Sequence, residues 1–376
     1  MTKMAKILIV GGYGEVGSRL AAQLEASHPN RVIVAGRHPE QATGLTRRVD
    51  VDDPASVERA LDGVGVVVAC VRQREPHLLR AAVRRGIAYT SIAPPWMPWA
   101  EIEPLRAEAK RSGSRVVLAA GLEPGITSVL VRAAADRLGQ VDVVETALLL
   151  GLGDAYGADS MAFIFEEITE PYSIVIDGQP EEANAFERPK LVAFPAPVGL
   201  RRAYTMPFRD QLYYPATLGA KTAIARIALD PSWLSRVLSA LLRVGLRRVL
   251  HRGGTRGAVH GLIEKLRGRY SGHDHYALVV DVRGGGRTIR STLVGRQQAE
   301  TTAAGVGAIT EALWAREVDE PGVWLAEQVI APEPFLARLA AHGIVPITEE
   351  LSTPSRAAGV APTSGRRAEK RPSAAG

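Results

Sequence analysis

Six residues near the amino end, Gly12-Tyr13-Gly14-Glu15-Val16-Gly17, carry the spacing G-x-G-x-x-G, which suits the cradling of a pyrophosphate. The first glycine permits a tight turn, and the second lets a phosphate approach the backbone. The third lets a helix lie close on a strand with its N-terminal N–H groups aimed at the anion. Such a spacing has meaning only inside a strand–loop–helix–strand unit, and that unit is complete here. Ile7-Leu8-Ile9-Val10 is an apolar run without polar alternation, the pattern of a strand buried on both faces. Leu20, Ala21 and Leu24 follow at helical spacing, and Arg31 to Ala35 reads as a second strand. Past that strand, where a carboxylate would bind a ribose 2′-hydroxyl, stands Arg37, then His38, with no acid before Glu40. A guanidinium there suits a 2′-phosphate. The residues therefore favour NADP(H) over NAD(H).

Other side chains could act on a small molecule. Tyr89 and Arg72 follow the expected fifth and fourth strands at the carboxyl edge, where open α/β sheets bind ligands, and are the catalytic candidates. Core packing for Tyr89 and a solvated charge for Arg72 are the competing readings. Tyr213, Tyr214 and Lys221 are the candidates for substrate contact. His273-Asp274-His275 places two imidazoles on one strand face but brings no third ligand, so no metal site is expected. No tyrosine is followed by lysine four positions on, which removes Tyr-x-x-x-Lys chemistry.

These residues need elements to position them. Arg48–Val51 reads as a third strand, and Asp53-Pro54 as the cap and first residue of a helix through Leu61. Val64–Val71, Ile87–Ile92 and Arg115–Ala120 read as strands, separated by helices at His77–Arg85 and Glu101–Arg111. The alternation predicts an α/β fold whose N-terminal part is a Rossmann-type doubly wound parallel sheet. Beyond Gly125 come a helix at Ser128–Leu138 and strands at Val141–Leu150 and Ser173–Ile176. Tyr276–Val282 and Thr288–Val294 flank Gly284-Gly285-Gly286, a hairpin signal. This texture predicts a second α+β domain with a mixed sheet. The expected division is 1–127 for the dinucleotide domain and 128–298 for a substrate or dimerisation domain. Helices at 299–316 and 333–342 lie in a stretch, 299–350, that returns to the first domain, and 351–376 is a disordered basic tail.

The net charge of +6 on 376 residues is unevenly placed. Residues 231–270 hold nine Arg/Lys against one acid, Glu264, and the tail adds five against Glu369, so the rest is acidic. The helix begun by Asp230-Pro231 has an apolar face (Trp233, Leu234, Val237, Leu238, Leu241) and a basic one (Arg236, Arg243, Arg247). A solvated face, weak contact with an anionic membrane surface through 232–252, and a wall for an acidic substrate are the readings it allows. No nucleic-acid module accompanies the charge, so no nucleic-acid partner is expected. The single cysteine, Cys70, forbids an intrachain disulfide and fits a reducing cytoplasm. No secretory leader and no membrane-spanning helix are expected from the sequence.

Taken together, the chain resembles the saccharopine dehydrogenase family, in its NADP-linked saccharopine reductase-like branch, over nearly all of residues 5–350. The resemblance is carried by the glycine loop, "VDVDD", "AAVRRGIAYTSIA", "GLEPGIT" (Gly121–Thr127), "ETTAAGVGAITEALW" and "EPGVWLAEQVIAPEPFLARLAAHGI". It implies that Gly12, Tyr13, Gly14, Glu15, Val16 and Gly17 line the diphosphate, and that Arg37 meets the 2′-phosphate. Asp50 and Val51 would flank the adenine, while Cys70, Val71, Ser91, Gly121 and Leu122 would line the nicotinamide side. Two places depart from the family pattern: Ser91 stands where Asp is usual, and Arg72-Gln73-Arg74 where Gly-Pro-Phe is usual. The resemblance implies hydride transfer at a C–N bond of a small-molecule substrate, in a homodimer. Reduction of a lipid or polyketide C=C or C=O, and dinucleotide binding without catalysis, are the alternatives.

Overall fold

The apolar run after Lys6 forms β1 (Lys6–Val10), which lies between β2 (Val32–Gly36) and β4 (Val64–Ala69) and is parallel to both. A central strand is covered on both faces, which is why its sequence does not alternate. Ile7 and Ile9 enter one core cluster, while Leu8 and Val10 enter the other. The structure, a computed structural model, describes residues 5–73, 75–92, 99–151, 153, 168–251 and 274–351. Of the tail expected over 351–376, Leu351 is the last residue of a strand, and 352–376, like His273, Arg74 and the basic residues between 252 and 270, lie outside the described residues.

The first sheet continues through β3 (Thr46–Arg48), β5 (Ala88–Ser91) and β6 (Arg115–Leu118). Its connecting helices are α1 (Glu15–Ser27), α2 (Pro54–Ala60), α3 (His77–Arg84) and α4 (Trp99–Ser112). The Ala55 N–H donates to Asp53 Oδ1 at 2.9 Å, so Asp53 caps α2 and Pro54 opens it. The third strand ends earlier than the expected Arg48–Val51, because the Asp50 N–H donates to Ser56 Oγ and begins the turn into α2.

After β6 the chain crosses by Gly121–Gly125 into α5 (Ile126–Leu138) and a mixed second sheet. This sheet holds β7 (Val143–Gly151), β8 (Tyr172–Ile176), β9 (Gln179–Ala183), β10 (Lys190–Ala193), β11 (Leu200–Thr205) and β12 (Thr222–Asp230). It adds the hairpin β13 (His275–Gly284) and β14 (Arg287–Arg296), turned by Gly285 and Gly286 at φ +56° and +76°. Short helices α6 (Tyr214–Leu218), α7 (Ser232–Leu241) and α8 (Arg247–His251) decorate it.

The chain then enters α9 (Gln298–Trp314), whose buried side joins both halves. Its small residues matter. A Cβ on Gly307 would reach Gln23 Nε2 of α1 at 2.5 Å, and one on Gly305 would reach Ile126 of α5 at 3.0 Å. The remaining elements are β15 (Gly322–Leu325), α10 (Ala326–Val329), α11 (Pro332–Ala341) and β16 (Ile347–Leu351). β15 adds to the first sheet beside β6, giving the parallel order β15-β6-β5-β4-β1-β2-β3. β16 instead pairs antiparallel with β14 in the second sheet, so the carboxyl-terminal stretch serves both. One core cluster runs from Ile7 and Val117 through Val129 and Val306 to Leu148 and Leu278, filling the space between the sheets.

Candidate active site

The glycine loop sits at the carboxyl end of β1. α1 starts after Gly14 with no side chain capping its first turn, which leaves the helix N-terminus to an anion. Each glycine has its own reason. A Cβ on Gly17 would lie 2.1 Å from Gly11 O, and one on Gly12 would lie 2.9 Å from Val34 Cγ1, so packing imposes both. A Cβ on Gly14 would meet nothing closer than Gly11 O at 3.3 Å. The fold leaves the space over Gly14 open, as an approaching pyrophosphate requires.

Tyr13 turns toward the end of β2. A Cβ on Gly36 would lie 2.3 Å from the Tyr13 hydroxyl, which accepts a hydrogen bond from the His38 N–H at 3.2 Å. Beyond this contact Arg37 is exposed and makes no ion pair or hydrogen bond with a described residue. Asp50 and Val51 lie just past β3, and Val51 packs on the core cluster that also holds Tyr89. Val71 Cγ1 faces Gly11, whose Cβ position is 2.4 Å away. Burial pushes the Cys70 thiol up to about 12, which removes it as a nucleophile at neutral pH.

On the other side of β1, the ends of β5 and β6 meet. The Ala120 N–H donates to Ser91 O at 2.9 Å, and Gly121 lies beside Ile92 O. Ser91 is fully buried and its hydroxyl has no partner. Tyr89 was expected to point into the cleft. It is fully buried instead, its hydroxyl accepts from Gln73 Nε2 at 2.8 Å, and burial raises it to about 12. Side chains alternate along β5, and Tyr89 falls on the face covered by α3 and α4. Arg72 is exposed after β4.

The crossing Gly121–Gly125 is wound tightly. The Ile126 N–H donates to Gly121 O at 3.0 Å and the Thr127 N–H to Leu122 O at 3.2 Å. Gly125 has φ +133°, and a Cβ there would strike Gly121 O at 2.2 Å. Within this loop Glu123 accepts from Thr146 Oγ1 of β7 at 2.5 Å through Oε1, while its Oε2 is closed to solvent and has no partner. Burial, reinforced by the neighbouring Asp210 carboxylate, holds the Glu123 carboxyl well above the usual range. Asp210 accepts from Thr127 Oγ1 at 3.0 Å and from the Tyr214 hydroxyl at 2.9 Å. Glu327, at the start of α10, accepts from Thr217 Oγ1 at 3.0 Å.

Tyr213 of the second half packs against the same core cluster as Val51 and Val71, so it reaches the carboxyl edge of the first sheet. Tyr214 is 1% exposed and bound to Asp210, a core position and not a cleft wall. Lys221 is on the surface, 2.9 Å from Asp142 Oδ1, where the pair neutralises itself. The acids Glu123, Asp210 and Glu327 were not among the sequence candidates. Glu123 alone had a signal, as the one charged side chain in Gly121–Thr127. Among the described residues no group of three His, Cys, Asp or Glu could hold a metal ion, and no helix is long and apolar enough to cross a membrane.

Comparison with known proteins adds the following. Residues 7–117 match the family described as saccharopine dehydrogenase NADP binding domain. A comparison with curated protein sequences gives no match. Among solved structures, apo saccharopine dehydrogenase (L-Glu forming) from Saccharomyces cerevisiae is similar with a TM-score of 0.65 at 16% identity, covering 92% of this chain and 100% of that one. Homospermidine synthase from Legionella pneumophila, in complex with NAD, is similar with a TM-score of 0.59 at 14% identity, covering 96% and 95%. At such identities the two likenesses concern the fold.

Proposed function

We propose that this chain, whose residues 7–117 match the saccharopine dehydrogenase NADP binding domain family, is an NADP(H)-dependent oxidoreductase of C–N bonds. It reduces an imine formed from an amine and a carbonyl, or oxidises the corresponding secondary amine, on an amino-acid-derived or related substrate. The observation that carries this reading is Glu123 Oε2, a shielded, unpartnered carboxyl oxygen in the crossing after β6, on a carboxyl that burial and the neighbouring Asp210 hold well above the usual range.

The bound dinucleotide supplies the hydride. The chain supplies the rest. Gly14 leaves room for the diphosphate, α1 presents its N-terminal N–H groups, and Arg37 meets the 2′-phosphate. Ser91, Gly121 and Leu122 wall the reacting end. Glu123 holds a proton at Oε2 for the substrate nitrogen, and Thr146 fixes its other oxygen. Tyr89 keeps a packing role. Arg72, exposed after β4, suits a substrate carboxylate, and with Ser91 it argues for a substrate other than saccharopine.

The test incubates the protein with NADPH and panels of amine–carbonyl pairs and enoyl thioesters, following nicotinamide absorbance. Oxidation that needs amine and carbonyl together supports the proposal. Oxidation with enoyl thioesters alone moves the reaction to C=C bonds, and oxidation with neither leaves a dinucleotide-binding protein.

A further inference from the structure

Outside the cleft, one surface joins apolar exposure to unbalanced positive charge. α7 and the turn after it (Leu242–Leu246) direct four large apolar side chains outward: Trp233 is 39% exposed, Val237 45%, Leu241 46% and Val244 82%. Their spacing of three and four residues puts them on one helix face. The inward side mixes apolar and polar side chains: Leu242 is buried in the core and Leu238 packs against it, beside two serines. Ser235 Oγ accepts from the Leu229 N–H at 2.8 Å, Ser239 Oγ donates to Phe186 O at 2.8 Å, and Arg247 donates to Ala185 O at 2.7 Å. A surface helix normally buries its apolar stripe and shows its polar one. This one buries Leu238 and Leu242 and still shows a second apolar stripe to solvent.

The stripe is flanked by Arg236, Arg243 and Arg248, all exposed, and none makes an ion pair with a described residue. No acid lies between residues 231 and 251, and the sequence from 231 to 270 holds nine Arg/Lys against Glu264. We propose that this face lies on an anionic membrane surface, with the apolar side chains at the headgroup–acyl boundary and the three arginines on lipid phosphates. A second copy of the chain suits the face poorly. A two-fold contact presents the same patch from both sides, so it would press unpaired guanidiniums against unpaired guanidiniums. A lipid surface of opposite charge neutralises them.

The test is co-sedimentation of the full chain with vesicles of phosphatidylcholine alone and of phosphatidylcholine with phosphatidylglycerol, at low and high salt. Binding to the anionic vesicles only, weakened by salt, is expected. Reversing Arg236, Arg243 and Arg248 together to Glu should weaken it by at least on the order of 100-fold, at about fivefold per cation lost. V244D should weaken it with all arginines intact. Unchanged dinucleotide binding and circular dichroism show that these surface variants remain folded. Absence of binding to anionic vesicles overturns the proposal, as does binding indifferent to both variants. A concentration-dependent dimer abolished by V244D, without vesicle binding, assigns the face to a second copy and also overturns it.

Discussion

Thr146 Oγ1 of the second sheet donates to Glu123 Oε1 in the crossing from the first sheet, at 2.5 Å. One hydroxyl thus fixes the carboxyl group that both halves of the molecule enclose. Glu123→Gln keeps the shape and that hydrogen bond but has no acidic proton to give. Turnover with any active amine–carbonyl pair should fall roughly 10²–10⁴-fold, while dinucleotide affinity stays the same. The wild-type rate should decline at high pH, as the raised carboxyl finally ionises, and the variant should lack that limb. Steady-state rates across pH, with a parallel cofactor titration, check both points. A variant as active as the wild type would sink the role given to Glu123.

The proposed preference for NADP(H) rests on Arg37. It stands exposed past β2 with no described partner, so it is available to a phosphate and contributes nothing visible to the fold. One charge-assisted contact is worth about 1.5–3 kcal/mol. Arg37→Asp should therefore weaken NADPH by roughly one to two orders of magnitude and leave NADH nearly unaffected. Equal losses for both in a fluorescence titration would remove the 2′-phosphate assignment.

Two glycines in the same loop should fail differently. Gly14→Val places methyls in space that the protein leaves open, with only Gly11 O at 3.3 Å from the new Cβ. It should abolish dinucleotide binding and spare the circular dichroism spectrum. Gly17→Ala drives a Cβ to within 2.1 Å of Gly11 O, a backbone atom that cannot step aside cheaply. It should lower the melting temperature even without ligand. If both variants melt like the wild type, the loop is looser than its packing indicates.

Much of the first sheet was legible because its strands are short apolar runs between helical patterns, and the glycine loop marked where they begin. β12 (Thr222–Asp230) was not, since Arg226 breaks an otherwise buried run and is tolerated only because Glu145 accepts from it at 2.9 Å across the sheet. β16 was missed for the opposite reason: Ile347–Leu351 is an edge strand carrying two glutamates, one of which, Glu350, pairs with Arg287. At the site, chain position placed Ser91 and Gly121 together, but Tyr89, two residues before Ser91 on the same strand face, is enclosed in the core cluster with residues of α3 and α4. Asp210 and Glu327 carry no local signal. Their roles arise from burial that only the packing of both halves creates.

Glu327 gives the stability its pH dependence. It is 1% exposed, and burial, with the Asp210 charge adding to it, raises its carboxyl from the ordinary 4.5 to about 7. Between those values the folded chain holds a proton that the unfolded chain releases, so stability falls as pH rises through this window and levels off above it. The two and a half units separating the values amount to on the order of 3 kcal/mol. Asp210 and Glu123 are also raised by burial and push in the same direction. The protein should therefore melt higher at about pH 5 than at about pH 8, against the usual effect of buried ion pairs. Glu327→Gln keeps an acceptor for Thr217 Oγ1 and removes the titration, so it should narrow the gap between the two melting temperatures. Calorimetry of both proteins at both pH values decides it: an unchanged gap in the variant would mean that Glu327 titrates as an ordinary carboxyl.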